Sequence, residues 1–352
     1  MKPTVLLTGA TGFIGRWLLR ELTARGYRVL ALLRRPEQQL VELRQWLQTH
    51  DGDPARVEAV AGDMSQPRWG LTPDDWARLS RVDVIYHLAT RFVWELAPEQ
   101  ARRDNVASLQ PLLELVDANP GLQRLVWVGG YMVGNPDLQP ALRQLAAGDW
   151  QPVYRRLGAY EGSKLEGYVQ LQAALRARSV PWTFVHPCTV IGASDSGEIT
   201  QDTGLLKLVD ALRKGRLTAV PGKARDWLPV VAVDYLAAFL AGVIERDETA
   251  GQEYWVLDEG TPRLSELVGW LAEGLEQPAP RQRIPVWLLK FVLNAGLGKR
   301  WDMSAESLNF ISAARYPTAS ARALAQDLGL AMPHTHTTVR RMVAYWRETQ
   351  AA

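Results

Sequence analysis

Near its start the chain reads Thr4-Val5-Leu6-Leu7-Thr8-Gly9-Ala10-Thr11-Gly12-Phe13-Ile14-Gly15, an apolar run that leads straight into glycines at 9, 12 and 15. That order reads as a buried strand, a tight turn and the start of a helix. Glycine permits the positive φ of such a turn and, lacking a Cβ, lets a pyrophosphate approach the backbone, while the helix N-terminus offers N–H groups and the positive end of a dipole. A dinucleotide suits this arrangement. The spacing is Gly-x-x-Gly-x-x-Gly rather than Gly-x-Gly-x-x-Gly, so the stretch alone is also compatible with a plain turn, and the rest of the chain must decide.

Outward from the glycines, the periodicity predicts a helix over 12–25 with Phe13, Ile14, Trp17, Leu18 and Leu22 inward and Gly26 as its stop. A strand over 27–33 then ends at Arg34-Arg35. An acid roughly 20 positions after the glycines would bind a ribose 2′-OH, whereas two cations favour a 2′-phosphate; solvation of a strand end accounts for one arginine better than for both. Pro36 opens a helix to Thr49, and a strand over 57–61 leads to Gly62-Asp63-Met64, where the acid reads equally as an adenine ligand or a turn residue. The next strand, 82–88, is closed by Ala89-Thr90, small enough to let a cofactor lie across its end. A helical segment over 98–119 carries Asn105, with Pro111 predicting a kink or break. A strand over 125–128 runs into Gly129-Gly130, and 131–157 reads as an irregular loop with one short helix near 142–147. A helix over 159–179 and a strand over 182–186 follow. Strands alternating with helices imply a parallel sheet wrapped on both faces.

Beyond Pro187 the rhythm changes. Helices are expected near 204–214, 234–246, 263–275, 285–297, 304–314, 319–329 and 337–348, with one strand at 253–257. The expected organisation is a nucleotide-binding domain over 1–186 and a smaller, mainly helical substrate region over 187–352, parts of which return to the sheet. In such sheets the ligand lies beyond the carboxyl ends of the strands, so the late region is expected to form the substrate side of the cleft.

Composition narrows the function classes. A formal net charge of +2 over 352 residues, with no long block of like charge, argues against nucleic acid. A single cysteine, Cys188, excludes an internal disulfide and fits a reducing compartment. No eighteen uncharged apolar residues run together and no apolar leader precedes the first strand, so a cytoplasmic protein with no transmembrane segment is expected. Five histidines and one cysteine at these spacings make no metal site. His87 and His186 end strands and read as packing or turn residues, and Cys188 as a buried filler. Most of the 14 tryptophans are expected in the core or in pocket walls. The apolar segment 285–297 is too short to span a bilayer and reads as a core helix, a dimer face or a lid over an acyl chain, which leaves a homodimer open.

Tyr160 and Lys164 lie four apart near a helix start, on one face. A lysine beside a phenol favours phenolate, so a lowered Tyr160 pKa is expected, making it an acid or base for neutral pH; Lys164 can also bond a ribose. With these residues in view, the chain resembles the extended short-chain dehydrogenase/reductases. The resemblance rests on Thr8-Gly9-x-x-Gly12-x-x-Gly15, His87-Leu88-Ala89, Asn105-Val106, Tyr160-x-x-x-Lys164 and His186-Pro187-x-x-Val190-x-Gly192, in the family's order. It implies a Rossmann α/β fold, a doubly wound parallel sheet with a smaller helical C-terminal region. It further implies a catalytic set of Tyr160 as proton donor or acceptor, Lys164 as its electrostatic partner and Asn105 in the proton relay. The cofactor contacts implied are Thr8, Gly9, Thr11, Gly12, Phe13, Ile14, Gly15, Arg34, Arg35, Asp63, Met64, Leu88, Ala89, Thr90, Lys164, His186, Pro187 and Val190. NADP(H) is favoured over NAD(H).

A finer resemblance, to the thioester-reductase-like and fatty acyl reductase-like branch, rests on the loops 62–71, 192–198, 220–222 and 231–235. It implies an NADPH-dependent oxidoreductase acting on a small-molecule carbonyl or acyl substrate. One departure matters: the family places Ser or Thr after the fifth strand to bond the substrate carbonyl, and here Gly129-Gly130 stand there. Losing such a donor can cost roughly 3 kcal/mol of transition-state stabilisation. Thr90 and Tyr131 are the nearest substitutes in sequence. A catalytically degenerate NADP-binding sensor or scaffold, or a nucleotide-sugar epimerase/dehydratase, therefore stays open.

Overall fold

A computed structural model describes residues 2–90, 96–144, 148–200, 204–294 and 304–351. The chain divides into two compact units, the first taking in Met1–Val133, Pro140–His186 and Ala237–Tyr254, the second Gly134–Gln139, Pro187–Leu236 and Trp255–Ala352.

The first unit is built on strands β1 (Thr4–Thr8), β2 (Arg28–Leu33), β3 (Val57–Ala61), β4 (Val84–His87), β5 (Arg124–Val128) and β6 (Trp182–Pro187). With Gln252–Val256 they form one seven-stranded parallel sheet, ordered Gln252–Val256, β6, β5, β4, β1, β2, β3. Val5, Leu6 and Leu7 have no exposure at all, as expected of a strand covered on both faces. β1 pairs with β2 on one side and β4 on the other, Thr8 aligning with both Leu32 and His87. The strand order reverses between β1 and β4, and ligands of such sheets bind beyond the carboxyl ends at that point. The core gathers Leu6, Leu30, Ile85, Leu125, Trp127 and Phe184 from the sheet with Leu112, Leu115, Leu171 and Leu175 from the helices.

The helices in chain order are α1 (Phe13–Ala24), α2 (Pro36–Thr49), α3 (Pro73–Leu79), α4 (Pro98–Arg102), α5 (Leu109–Asp117), α6 (Gln139–Gln144), α7 (Gln151–Leu157) and α8 (Ala159–Arg178). Two differ from the sequence expectation. The helical segment over 98–119 is interrupted at a π-turn, Arg103–Ala107, and not at Pro111. Pro111 sits in the first turn of α5, where its missing N–H costs no helical bond. The stretch 131–157 is more regular than expected, because Pro140 and Pro152 each stand at a helix start, where proline is favoured. The expected short helix near 142–147 lies partly outside the described residues; the helix observed there is α6.

In the second unit, helix Leu264–Gly274 packs against Gly204–Arg213 and Thr335–Ala351, burying Leu267, Val268, Leu271, Val339, Met342 and Val343. Two short parallel ladders, Thr189–Ile191 with Val230–Ala232 and Ala219–Pro221 with Gln282–Ile284, were not expected; three residues give too little alternation to read. The helix expected over 304–314 is only a 3₁₀ turn, Glu306–Phe310. Trp227 competes for that backbone: its N–H donates to Ser312 O at 2.9 Å and its indole N–H to Ala314 O at 2.8 Å. The helix expected over 285–297 is Val286–Asn294, and its remainder lies outside the described residues.

Candidate active site

At the end of β1 the chain turns through Gly9, whose φ of +79° is a glycine conformation. A Cβ there would stand 3.0 Å from the N of Ala89, so β1 and β4 meet at the strand reversal only because residue 9 has no side chain. The Gly9 carbonyl accepts from Gly12 N at 3.0 Å, and a Cβ on Gly15 would lie 2.0 Å from that same oxygen. Gly12 caps α1 with no side-chain bond, so the helix presents bare backbone at its N-terminus. This cradle suits the pyrophosphate of a dinucleotide, because the glycines let β1, α1 and β4 close up so that the bare backbone N–H groups an anion needs stand at the head of α1. Thr11 and Ile14 are half-buried beside it, and Phe13 turns into the core.

Thr8 and His87 lock the two strand ends together. The Ala89 N–H donates to Thr8 Oγ1 at 3.3 Å, and Oγ1 lies 3.2 Å from His87 Nδ1. Burial lowers the His87 pKa from 6.5 to about 4, so the ring is neutral, and the bond between Nδ1 and the threonine hydroxyl is made without a charge on the ring. Leu88, Ala89 and Thr90 continue from this lock and are half-buried.

At the ends of β2 and β3, Arg34 and Arg35 are exposed, and among the described residues neither guanidinium has a hydrogen-bond or ion-pair partner. The Arg35 N–H is held by Gln39 Oε1 at 2.8 Å. Asp63 is in part the turn residue that the sequence left open, its Oδ1 accepting from both the N–H and the hydroxyl of Ser65 at 2.9 Å. Those bonds, with a smaller pull from Arg34, hold its carboxyl below the usual range despite the opposing cost of burial. Met64 is half-buried against the core.

The catalytic candidates meet on α8. Asn105, on the π-turn, donates from Nδ2 to Ser163 Oγ at 2.9 Å, and Ser163 Oγ donates to Tyr160 O at 2.8 Å. Ser163 thus ties Asn105 to the turn that carries Tyr160 and Lys164. It was missed in the sequence, where a serine one residue before the lysine is the signal. Gly167 makes the approach feasible, since a Cβ there would sit 3.3 Å from Asn105 O. Lys164 Nζ lies 5.6 Å from the Tyr160 ring centroid and donates to Gly129 O at 3.1 Å. The expected lowering of the Tyr160 pKa is not what the structure shows. Burial raises the phenol well above its ordinary value, with a further push from Glu161, and burial lowers the Lys164 ammonium. Desolvation outweighs the lysine here because Nζ is directed to a carbonyl instead of the phenol.

The adjacent glycines differ. A Cβ on Gly129 would meet Trp127 at 2.5 Å and His186 Nδ1 at 2.6 Å, so packing requires glycine. Gly130 has no positive φ, and its nearest neighbour would be Lys164 Nζ at 3.8 Å. Of the two, Gly130 is the position that could carry a side chain.

A second device missed in the sequence braces α8. Glu166, without exposure, accepts from Arg102 Nε at 2.9 Å and Nη2 at 2.7 Å, from Tyr154 Oη at 2.8 Å and from Gln170 Nε2 at 2.9 Å. One carboxylate so joins α4, α7 and α8. His186 turns into a cluster with Trp127, Tyr168 and Phe184, its Nε2 3.3 Å from Glu253 Oε2, which is the packing role expected of it. Pro187 closes β6, and Val190 lies in the Thr189–Ile191 strand of the second unit. Cys188 is buried with its thiol pushed up, the state of a filler and not of a nucleophile. No group of metal ligands occurs among the described residues.

Comparison with known proteins gives the family and the fold. The NAD-binding family model described as "male sterility protein" matches residues 7–240. The chain belongs to that family, and so to the extended short-chain dehydrogenase/reductases, NAD(P)-dependent oxidoreductases with a nicotinamide cofactor. It is 30% identical over 229 residues to the L-2-aminoadipate reductase large subunit of Penicillium chrysogenum, covering 59% of this chain and 16% of that protein. It is 28% identical over 265 residues to glycine betaine reductase ATRR of Emericella nidulans, covering 70% and 20%. The chain thus spans a fifth or less of these relatives. Among solved structures, the terminal R domain of the myxalamid PKS-NRPS pathway superposes with a TM-score of 0.79 at 20% identity, over 99% of this chain and 92% of that one. The reductase (R) domain of a nonribosomal peptide synthetase from Mycobacterium tuberculosis gives 0.73 at 23%, over 100% and 93%. At these identities the two structures establish the fold alone.

The His87 lock carries a pH signature. A ring that binds its proton more weakly folded than unfolded leaves stability intact above pH 6.5 and removes it as pH falls toward about 4. Between pH 7 and pH 5 this residue alone should cost about 2 kcal/mol of unfolding free energy. Urea titrations at the two pH values check it: His87→Gln should flatten the difference by that amount, and an unchanged slope would refute the assignment.

Proposed function

We propose that this chain uses NADPH to reduce a carbonyl or acyl-thioester carbon, with Tyr160 giving the proton to the substrate oxygen. The observation that carries the reading is the buried Tyr160 phenol, held in its protonated form on the α8 turn that Ser163 ties to Asn105 and that also presents Lys164. A reduction consumes that form of the phenol. A dinucleotide held by its pyrophosphate in the cradle would supply the hydride from its nicotinamide ring. Lys164 places a positive charge beside the ring and steadies the phenolate left when the proton departs. Asn105 orders the polar path behind it. The same ammonium stands next to the position a hydroxyl at residue 130 would occupy, and it bonds one carbonyl among the described residues, so it has protons left for the substrate oxygen. Relatives whose names call them reductases support this reading over an epimerase.

Tyr160→Phe should retain NADPH binding and lose turnover by roughly 10²-fold or more on any substrate the wild type reduces, read by single-turnover NADPH oxidation. Full activity in that variant would move the proton to another donor. Gly130→Ser fits without backbone strain and sets its hydroxyl beside Lys164, where it competes for the ammonium; turnover should fall by roughly tenfold while NADPH affinity holds. A rise in rate would instead mean that the donor site is vacant, as in a degenerate sensor. Arg34 and Arg35, unpartnered at the end of β2, are proposed to clasp the 2′-phosphate. Calorimetric titration should show NADPH binding roughly tenfold or more tighter than NADH, and Arg34→Ala/Arg35→Ala should erase the difference. Equal affinities in the wild type would remove the arginines from cofactor choice.

A further inference from the structure

Among the described residues, three of the large apolar side chains that stand in solvent belong to one helix, Val286–Asn294: Trp287 is 70% exposed, Phe291 66% and Leu288 36%. Single exposed apolar residues are ordinary, as Val41 and Met332 are here, but a cluster is a contact surface. Trp287 and Phe291 are four apart and so share a face, while Leu289, 4% exposed, anchors the helix on its other side. Most tryptophans were expected in the core, and Trp287 is the clear exception among those described.

Along this helix and the strand that leads into it the charge has one sign. From Arg281 to Asn294 the chain carries Arg281, Arg283 and Lys290 and no acid. The strand before the helix, Gln282–Ile284, pairs with Ala219–Pro221, and Gly222 N donates to Ile284 O at 2.9 Å, which brings the loop with Lys223 and Arg225 to the base of the helix. Arg283 donates to Lys223 O at 3.3 Å and to Ser265 Oγ at 3.1 Å. Lys223, Arg225, Arg281 and Arg283 are all exposed. Of the acids close in sequence to these residues, Asp226 is buried and accepts the Lys223 N–H at 2.7 Å, while Glu266 and Glu276 are exposed, Glu276 being paired with Arg347 at 2.9 Å.

We propose that this face docks on an anionic lipid surface, with Trp287, Leu288 and Phe291 entering the headgroup boundary and Lys223, Arg225, Arg281 and Arg283 meeting the lipid phosphates. Aromatic and leucine side chains flanked by cations, on a helix too short to span, are the chemistry of interfacial attachment. One short helix with a few cations gives weak, reversible, salt-sensitive binding. The proposal is independent of the reaction proposed above.

Co-sedimentation of the full chain with vesicles tests it. The wild type should pellet with phosphatidylcholine containing roughly one-third phosphatidylglycerol, scarcely with phosphatidylcholine alone, and be released by about 0.5 M salt. Trp287→Ala/Phe291→Ala and, separately, Arg225→Glu/Arg281→Glu should each weaken the partition by roughly tenfold or more. Neither pair makes a structural bond among the described residues, so thermal melting should be unchanged, and a melt shift would identify a variant unfit to judge; Trp287→Gln then serves in its place, since it is neutral as tryptophan is, adds no cation for the lipid to attract and removes the aromatic, and should lose the partition likewise. Failure to pellet with the anionic vesicles, equal pelleting with neutral ones, or folded variants that pellet like the wild type would each overturn the proposal. The first of these is also what a face made for an acidic protein would give.

Discussion

The carbonyl oxygen of Gly9 is the point on which the first unit turns. It accepts the Gly12 N–H that closes the turn, it leaves no room for a Cβ on Gly15, and its own residue presses against Ala89 at the strand reversal. A side chain at 9 or 15 would push α1 off β1 or β1 off β4, and either shift would open the cradle. Overpacking of this kind ordinarily costs 1–3 kcal/mol or more, which is large against the stability of a whole domain. The motif is therefore a packing constraint first. Its affinity for an anion follows from the bare backbone that the constraint leaves at the head of α1.

Burial sets the protonation states around that cradle. His87 is kept neutral, the Tyr160 phenol keeps its proton, and Lys164 loses part of its preference for charge. A lysine four residues from the phenol, taken by itself, predicts the opposite direction for Tyr160. Spacing on a helix reports which side chains are neighbours; it carries no information about how much water they keep. Ser163 and Glu166 were hidden because their roles depend on other elements, the π-turn and α4 from some sixty residues upstream and α7 from the turn before α8.

The sheet was legible because each strand is an apolar run punctuated by glycine, proline or a charged pair, and α1, α2 and α8 begin within a residue of where the periodicity puts them. Short ladders such as Thr189–Ile191 with Val230–Ala232 were not, since their pairing is purely tertiary. The segment around Glu306 shows the converse: local pattern favoured helix, and two bonds from Trp227 drew its backbone elsewhere. In the site, Gly129 and Gly130 look alike as letters. Only their surroundings separate the one that packing demands from the one that it does not.

The Glu166 carboxylate has a consequence for how the fold comes apart. Its partners come from α4 and α7 as well as from its own helix; the departure of Arg102 would strand a carboxylate that has no access to solvent, and the departure of Tyr154 or Gln170 would take one of its remaining bonds. Partial opening of any one of the three helices is thereby made expensive, and the segments are bound into a single cooperative block whose amides share one opening free energy. The rigidity of the catalytic turn is in that sense a collective property of the block, borrowed from α4 and α7, and not a property of α8 alone.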